Sequence, residues 1–379
     1  MKRTTSSRFK AASHHSGLNE QGGNILSPRV SVLVLNYNGI KYLDDCFKSL
    51  EKLSYPNYEV VLIDNASNDG SVAYVQNNFP WVKVVIHQNN YGFCEGYNRS
   101  VEHAEGEYLA FLNNDTAVDA NWLKELITAS HEHQADICGS KILFYNEPQI
   151  INHLGAKITT IGSGYDLGFG MTDKDSTSSQ APVPVAAACG AAMLIKKETF
   201  LKLGGFDPDY FAYFEDLDLC WRAWLQGYRV MLVPGSVIYH KFGGSWGSSR
   251  HSKLRTFYGQ RNRLTNIVKN FEFINVIKGL SISLVYDTAL LIRFAITGQF
   301  NNVSALVRGT LYFIKELPKT LRKRRKIQGN RVISDKQLYQ LGLISPLLEC
   351  IGESIRLERM TATRSKAENL HRDSQNPDD

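Results

Sequence analysis

From Arg29 onward, short apolar runs alternate with segments of helical periodicity, and this alternation constrains the fold more than any other feature of the chain. Residues 30–35 form a buried-strand run, after which Tyr42, Phe47 and Leu50 follow at helical spacing. The same pairing recurs three times: strand 59–63 with helix 72–79, strand 82–86 with helix 91–103, and strand 108–112 with helix 121–133. Continuous apolar runs mark strands buried on both faces. Their alternation with helices predicts an α/β fold with a mostly parallel central sheet covered on each side. In such sheets ligands bind at the carboxyl ends of the strands, where the polar clusters of this sequence fall.

The second half reads differently. Residues 136–144 and 183–195 predict longer strands separated by a Gly- and Ser-rich stretch at 155–180, then a helix over 216–226 and a strand over 229–239. This pattern suits an acceptor-side subdomain built onto a nucleotide-binding half. Beyond Ser248 a helical pattern opens at Tyr258. Residues 273–297 follow, rich in Ile, Leu, Val and Phe but interrupted by Lys278, Asp287 and Arg293. Each such charge costs roughly 2.5–3.5 kcal/mol at the centre of a bilayer. The pattern therefore fits an amphipathic helix lying in a membrane interface better than a spanning one, with the basic run Arg322, Lys323, Arg324, Arg325 and Lys326 on anionic headgroups. A helix packed on the catalytic domain explains it equally well.

Composition narrows the class. With 43% hydrophobic and 21% charged residues, the 379-residue chain can bury a sizeable core, which excludes wholesale disorder. Aromatic residues are not interleaved with the basic run, so a nucleic-acid partner is not expected. Six scattered cysteines, with no paired spacing, read as small buried hydrophobes in a reducing compartment. The basic, polar stretch 1–27 reads as a disordered leader rather than a secretory signal.

Four clusters carry chemistry. Asn36-Tyr37-Asn38-Gly39 ends the first strand, a pattern that also marks any helix start. Asp64-Asn65-Ala66-Ser67-Asn68-Asp69-Gly70 ends the second, where a carboxylate can accept hydrogen bonds from a base or ribose and Asn68 or Asp69 can cap the next helix. Asn113-Asn114-Asp115-Thr116 ends the fourth; one carboxylate there suits a hard divalent cation that also takes phosphate oxygens, although an Asx turn looks the same. Glu215, Asp216 and Asp218 cluster at a helix start among aromatics, where the helix dipole favours anions and a carboxylate could act as general base. His240 ends an apolar strand, and its imidazole could complete a metal site.

In this order, the clusters resemble family 2 glycosyltransferases with the GT-A fold. The likeness rests on VSVLVLNYNG, VVLIDNASNDGS, NNYGFCEGYNRS, YLAFLNNDT, CGAAMLIKKETFLKLGGFD and YFEDLDLCWRAWLQGYRVMLVP, ending in IYH, and extends weakly through Arg261-Asn262-Arg263. It implies that Asn36, Asn38, Asp64, Asn90, Gly92, Asn98 and Asn114 serve the donor and that Gly190 and Ala191 border the sugar. Asp115 and His240 would hold Mg²⁺ or Mn²⁺, and Asp216 would be the base, supported by Glu215. Trp221 and Arg222 are read as packing residues. The usual Asp-x-Asp motif is altered, with Asn113 at its first position. The form Leu-Asn-Asn-Asp-Thr is similar to that of bacterial rhamnosyltransferases, suggesting dTDP-L-rhamnose as donor. The resemblance thus implies an inverting hexosyltransferase in cell-surface polysaccharide synthesis. It would act on a glycan or lipid-linked acceptor, in the cytoplasm at the inner face of a membrane. The alternative is a catalytically silent nucleotide-sugar-binding scaffold. On this reading the chain divides into a leader (1–27), a GT-A catalytic domain (28–250), a helical, membrane-associated region (251–330) and a C-terminal helix with polar tail (331–379).

Overall fold

The structure, a computed structural model, describes residues 27–174, 181–241 and 252–352. Apart from Ser27, the expected leader lies outside them, as does the polar tail beyond residue 361. The first half runs β1 (Val30–Asn36), α1 (Ile40–Leu50), β2 (Tyr58–Asp64), α2 (Ser71–Asn78), β3 (Lys83–Ile86), α3 (Gly92–Ser100), β4 (Tyr108–Asn113), β5 (Thr116–Val118) and α4 (Trp122–Glu132). There follow β6 (Ile137–Phe144), β7 (Ile151–His153), β8 (Ala156–Thr159), β9 (Gly164–Asp166), β10 (Val183–Pro184), β11 (Ala192–Lys196), α5 (Lys197–Leu203), α6 (Glu215–Leu225) and β12 (Val230–His240). The remainder is α7 (Lys253–Asn270), α8 (Phe273–Ile296), α9 (Phe300–Gly329), α10 (Asp335–Gln340) and β13 (Ile344–Ser345).

The central sheet has the order β10-β12-β6-β11-β4-β1-β2-β3, with β5 on β12 and β7 on β6. Strands β3, β2, β1 and β4 are parallel, β11 runs antiparallel to β4 and β6, and β12 is parallel to β6. The period of two along β1 explains why both faces are covered. Val30, Val32 and Val34 join the core under α1, α2 and α4, while Leu33 and Leu35 face the core under α3 and α6.

The expected strand 183–195 is two short strands. Between them, Ala186 and Ala187 exchange backbone hydrogen bonds with Ala156 of the small sheet β13-β8-β9, so that part of the chain leaves the central ladder. The Gly- and Ser-rich stretch accordingly contributes β8 and β9.

The C-terminal helices share the main core. Leu264 and Ile267 of α7, Phe271 just after it, and Phe313 and Ile327 of α9 are buried with the strands and α6. Helix α8 is long and apolar enough to cross a membrane by length and composition, yet only 17% of its most apolar stretch is buried. Asp287 is half-buried and pairs with Arg263 at 2.7 Å. The basic run is divided: Lys323 pairs with Asp207 and Asp209, and Arg324 donates to the carbonyls of Val268 and Phe271. Only Arg322, Arg325 and Lys326 stand fully outward, which corrects the reading of all five as one headgroup-binding run.

Candidate active site

Strand β5 follows Asp115 at once and pairs antiparallel with the end of β12, setting His240 opposite Thr116. This register brings His240 Nε2 to 3.2 Å from Asp115 Oδ1, with both side chains largely buried. The Lys241 amide donates to the Asp115 carbonyl at 2.9 Å and locks the same register. An imidazole nitrogen and a carboxylate oxygen at this separation fit adjacent positions around one divalent cation, where each bond is about 2.1 Å. Among the described residues no group of three or more His, Cys, Asp or Glu is placed to hold a metal. Asp115 and His240 would offer such a cation two protein ligands, a number that suits ions which also take diphosphate oxygens and water. Asn152 Oδ1 lies 3.4 Å from His240 Nδ1, on the far side of the ring.

Beside this pair lies a polar web at the ends of β1, β2 and β4. Asp64 accepts from the Ser67 amide at 2.9 Å and from Asn36 Nδ2 at 3.2 Å. Asn36 Oδ1 accepts from Asn114 Nδ2 at 2.7 Å. Asn36 is completely buried and bonds both Asp64 and Asn114, so it fixes the orientation of the two. Asn38 is exposed at φ 50° and accepts from the Asn68 amide, pinning the two strand-end loops together. A side chain at Gly39 would collide with Asn114 Nδ2 at 2.2 Å, so only glycine lets the first loop close over the web.

On the donor side, Asn90 accepts from the Gly92 amide at 2.9 Å at the start of α3. The Asn98 amide both donates to the Phe206 carbonyl and accepts from the Phe206 amide, at 2.8 and 3.0 Å, fastening α3 to the chain just after α5.

The three acidic residues at the start of α6 have separate environments. Asp216 Oδ2 accepts from the Gly190 amide at 2.9 Å and Oδ1 from the Leu217 amide at 2.7 Å. Burial raises its carboxyl above the ordinary range despite those bonds. Burial, with the neighbouring Asp216 charge second, pushes Glu215 up to about 8, and its Oε2 has no hydrogen-bond partner. The pair is thus set to carry a proton at neutral pH. Asp218, fully buried, goes the other way: burial would raise it, but Arg222 and Lys269 outweigh burial and hold it ionised. Trp221 packs edge-on against Phe271 at 4.6 Å.

Two features lay beyond sequence reasoning. His153 approaches Asp166 at 3.5 Å, and both act electrostatically on Asp216. Lys269, with no exposure, bridges Asp207 at 2.6 Å and Asp218 at 2.7 Å. No local pattern marks a lysine in the last turn of a helix as a buried ion-pair centre. The Arg261-Asn262-Arg263 motif was visible in the sequence, but its contacts were not.

Over residues 31–204 the chain matches the family described as glycosyl transferase family 2. It is 26% identical over 230 residues to the O-antigen biosynthesis protein RfbC of Myxococcus xanthus, covering 56% of this chain and 17% of that protein. It is 31% identical over 127 residues to the glycosyltransferase GlyG of Streptococcus pneumoniae serotype 4, covering 32% of this chain and 42% of that one. The crystal structure of GalNAc-T7 with UDP, GalNAc and Mn²⁺ is similar in fold, with a TM-score of 0.51 at 20% identity, covering 65% of this chain and 51% of that one. The chain spans between 17% and 52% of the length of these and the other first curated relatives it matches.

Proposed function

Residues 31–204 belong to glycosyl transferase family 2, within an α/β half that has the GT-A fold, and on that footing we propose that the chain transfers a sugar from a nucleoside-diphosphate donor to a hydroxyl acceptor with inversion. The carrying observation is the Asp115–His240 pair where β4 and β12 end, with Asp216 fixed to the Gly190 amide just before β11, whose Ala192 pairs with Leu112 near the end of β4. Asp64, aligned by Asn36 and Ser67, offers its remaining acceptor capacity to the nucleotide. Asp115 and His240 would hold a divalent cation against the donor diphosphate. Bound there, the cation would supply Lewis-acid stabilisation of charge on the leaving group. Asp216, fixed by two backbone amides, takes the proton from the attacking hydroxyl, and the neighbouring Glu215 shares the burden of two buried carboxyls. An attack of this kind needs no covalent enzyme intermediate.

Cell-surface polysaccharide synthesis is the setting we infer, because the relatives include an O-antigen biosynthesis protein and a poly-β-1,6-N-acetyl-D-glucosamine synthase. A lipid-linked glycan is the acceptor we favour, with the protein docked on the inner face of a membrane. Helix α8 supports this: Ile274, Ile277, Leu284, Val285, Ile292 and Ile296 are all exposed. No Asp or Glu among the described residues of α8 and α9 is fully exposed, whereas Lys278, Arg293, Arg308 and Lys315 are. An apolar face whose fully exposed charges are all cationic suits an anionic lipid surface. The deciding experiment is donor hydrolysis across a panel of nucleotide sugars with Mn²⁺ or with chelator, dTDP-L-rhamnose included. Turnover of one donor supports the reading; a protein that binds no nucleotide sugar refutes it.

A further inference from the structure

The segment entering Glu215 has a backbone that side chains rarely adopt, with φ of 28° at Phe211, 68° at Tyr213 and 66° at Phe214. Three such residues in four persist only where the surroundings dictate them. Helix α7 provides that constraint. Asn262, 1% exposed, donates its Nδ2 to the carbonyls of both Ala212 and Tyr213, at 2.8 and 2.7 Å. Its Oδ1 accepts from Arg261 Nε at 2.8 Å, which fixes which end of the amide faces the loop. Arg261 in turn donates to the Asp209 carbonyl at 2.6 Å and lies 4.8 Å from the centre of the Tyr258 ring. That ring stacks on Phe211 at 5.5 Å. Every polar atom of the Asn262 side chain is thereby directed at, or braced against, the strained loop.

We propose that Asn262 is a positioning residue for sugar transfer: its two bonds to the 212–213 backbone hold the loop in the conformation that aims Asp216 at the reacting hydroxyl. The proposal rests on the glycosyl-transfer reading above. Asn262 touches neither donor nor acceptor in this arrangement; it acts through the loop that leads into Glu215 and Asp216. Asp64, Asn36 and Asn114 are held by bonds among themselves and to Ser67, whereas the loop touches the donor side through Phe211, which packs on Gly92; kcat and nucleoside-diphosphate affinity are therefore read separately.

The test uses the full chain and the donor that turns over in the panel. Asn262→Asp keeps the shape but removes the amide donor, and Asn262→Ala removes the group without burying a charge. Asn302→Ala, at a similarly buried asparagine on α9, controls for lost stability. The expected result is a fall in kcat of about 100-fold in both Asn262 variants, as a misplaced catalytic group produces. The donor KM and the calorimetric Kd for the matching nucleoside diphosphate stay as in the parent, and Asn302→Ala keeps its kcat. Unchanged kcat in folded Asn262→Ala overturns the proposal, as does an equal loss in an Asn302→Ala protein of the same measured stability. A parent protein that turns over no donor overturns the transfer reading itself and this inference with it.

Discussion

Lys269 Nζ and Asp218 Oδ1 lie 2.7 Å apart with neither side chain exposed to water. The contact ties α7 to α6 two residues beyond Asp216, and Asp207 completes it from the loop before α6. Through it the C-terminal helices become part of the framework of the α/β half.

Lys269→Met should therefore destabilise the whole protein. Removing one partner of a buried ion pair strands the other, at a cost of about 3–5 kcal/mol. Here Arg222 remains near Asp218 and Lys323 near Asp207, which places the loss toward the lower end. Urea unfolding at neutral pH checks it; a midpoint unchanged from the parent contradicts the assignment.

Glu215 gives stability a pH dependence of known sign. The folded protein keeps this proton up to about pH 8, whereas an unfolded chain releases it near the ordinary 4.5. The group's contribution is complete below pH 4.5 and is lost as pH rises through that window, since the unfolded state then binds fewer protons. Glu215→Gln should thus gain in melting temperature relative to the parent between pH 5 and pH 8. A constant difference across that range would show that Glu215 titrates normally.

Asp216→Asn keeps the shape and one of the two bonds from the Leu217 and Gly190 amides but cannot accept a proton. Transfer should fall by roughly 10²–10⁴, the usual worth of a general base, with donor affinity retained. Parallel loss of donor affinity would place Asp216 in ground-state binding instead.

Asp115→Ala should abolish metal-stimulated donor hydrolysis, and His240→Ala should raise the Mn²⁺ concentration needed for half-maximal turnover at least about tenfold. Titration of Mn²⁺ into each variant with the matched nucleoside diphosphate present measures this. Metal stimulation that survives Asp115→Ala would move the cation elsewhere.

Docking through α8 predicts that the protein floats with liposomes containing phosphatidylglycerol and less with neutral ones. Val285→Glu with Ile292→Glu should release it, since both positions are exposed in the present fold and their replacement leaves the core intact. Equal flotation of parent and variant would exclude α8 as the contact.

Much of the first half is legible in the sequence. The four strand–helix pairs between Val30 and Glu132 follow from local periodicity, because a period of two or 3.6 is written in consecutive residues. The positions of Asp64 and Asp115 at strand ends follow from the same reading. Asn98 shows its limit: nothing adjacent marks it as bonded to Phe206, more than a hundred residues away in sequence.

By itself the sequence determined the order of elements, the strand ends that carry the polar clusters, and the chemical groups available there. Tertiary structure alone decided what those groups become. It set His240 against Asp115 through the β5–β12 register, raised the proton affinity of Glu215 and Asp216 by burial while Lys269 and Arg222 keep Asp218 ionised, and turned Asn262 toward the loop before Glu215. The physical reason is range. Backbone periodicity depends on neighbours along the chain, whereas burial, ion pairing and proton affinity depend on neighbours in space, and here those come from strands and helices far apart in sequence.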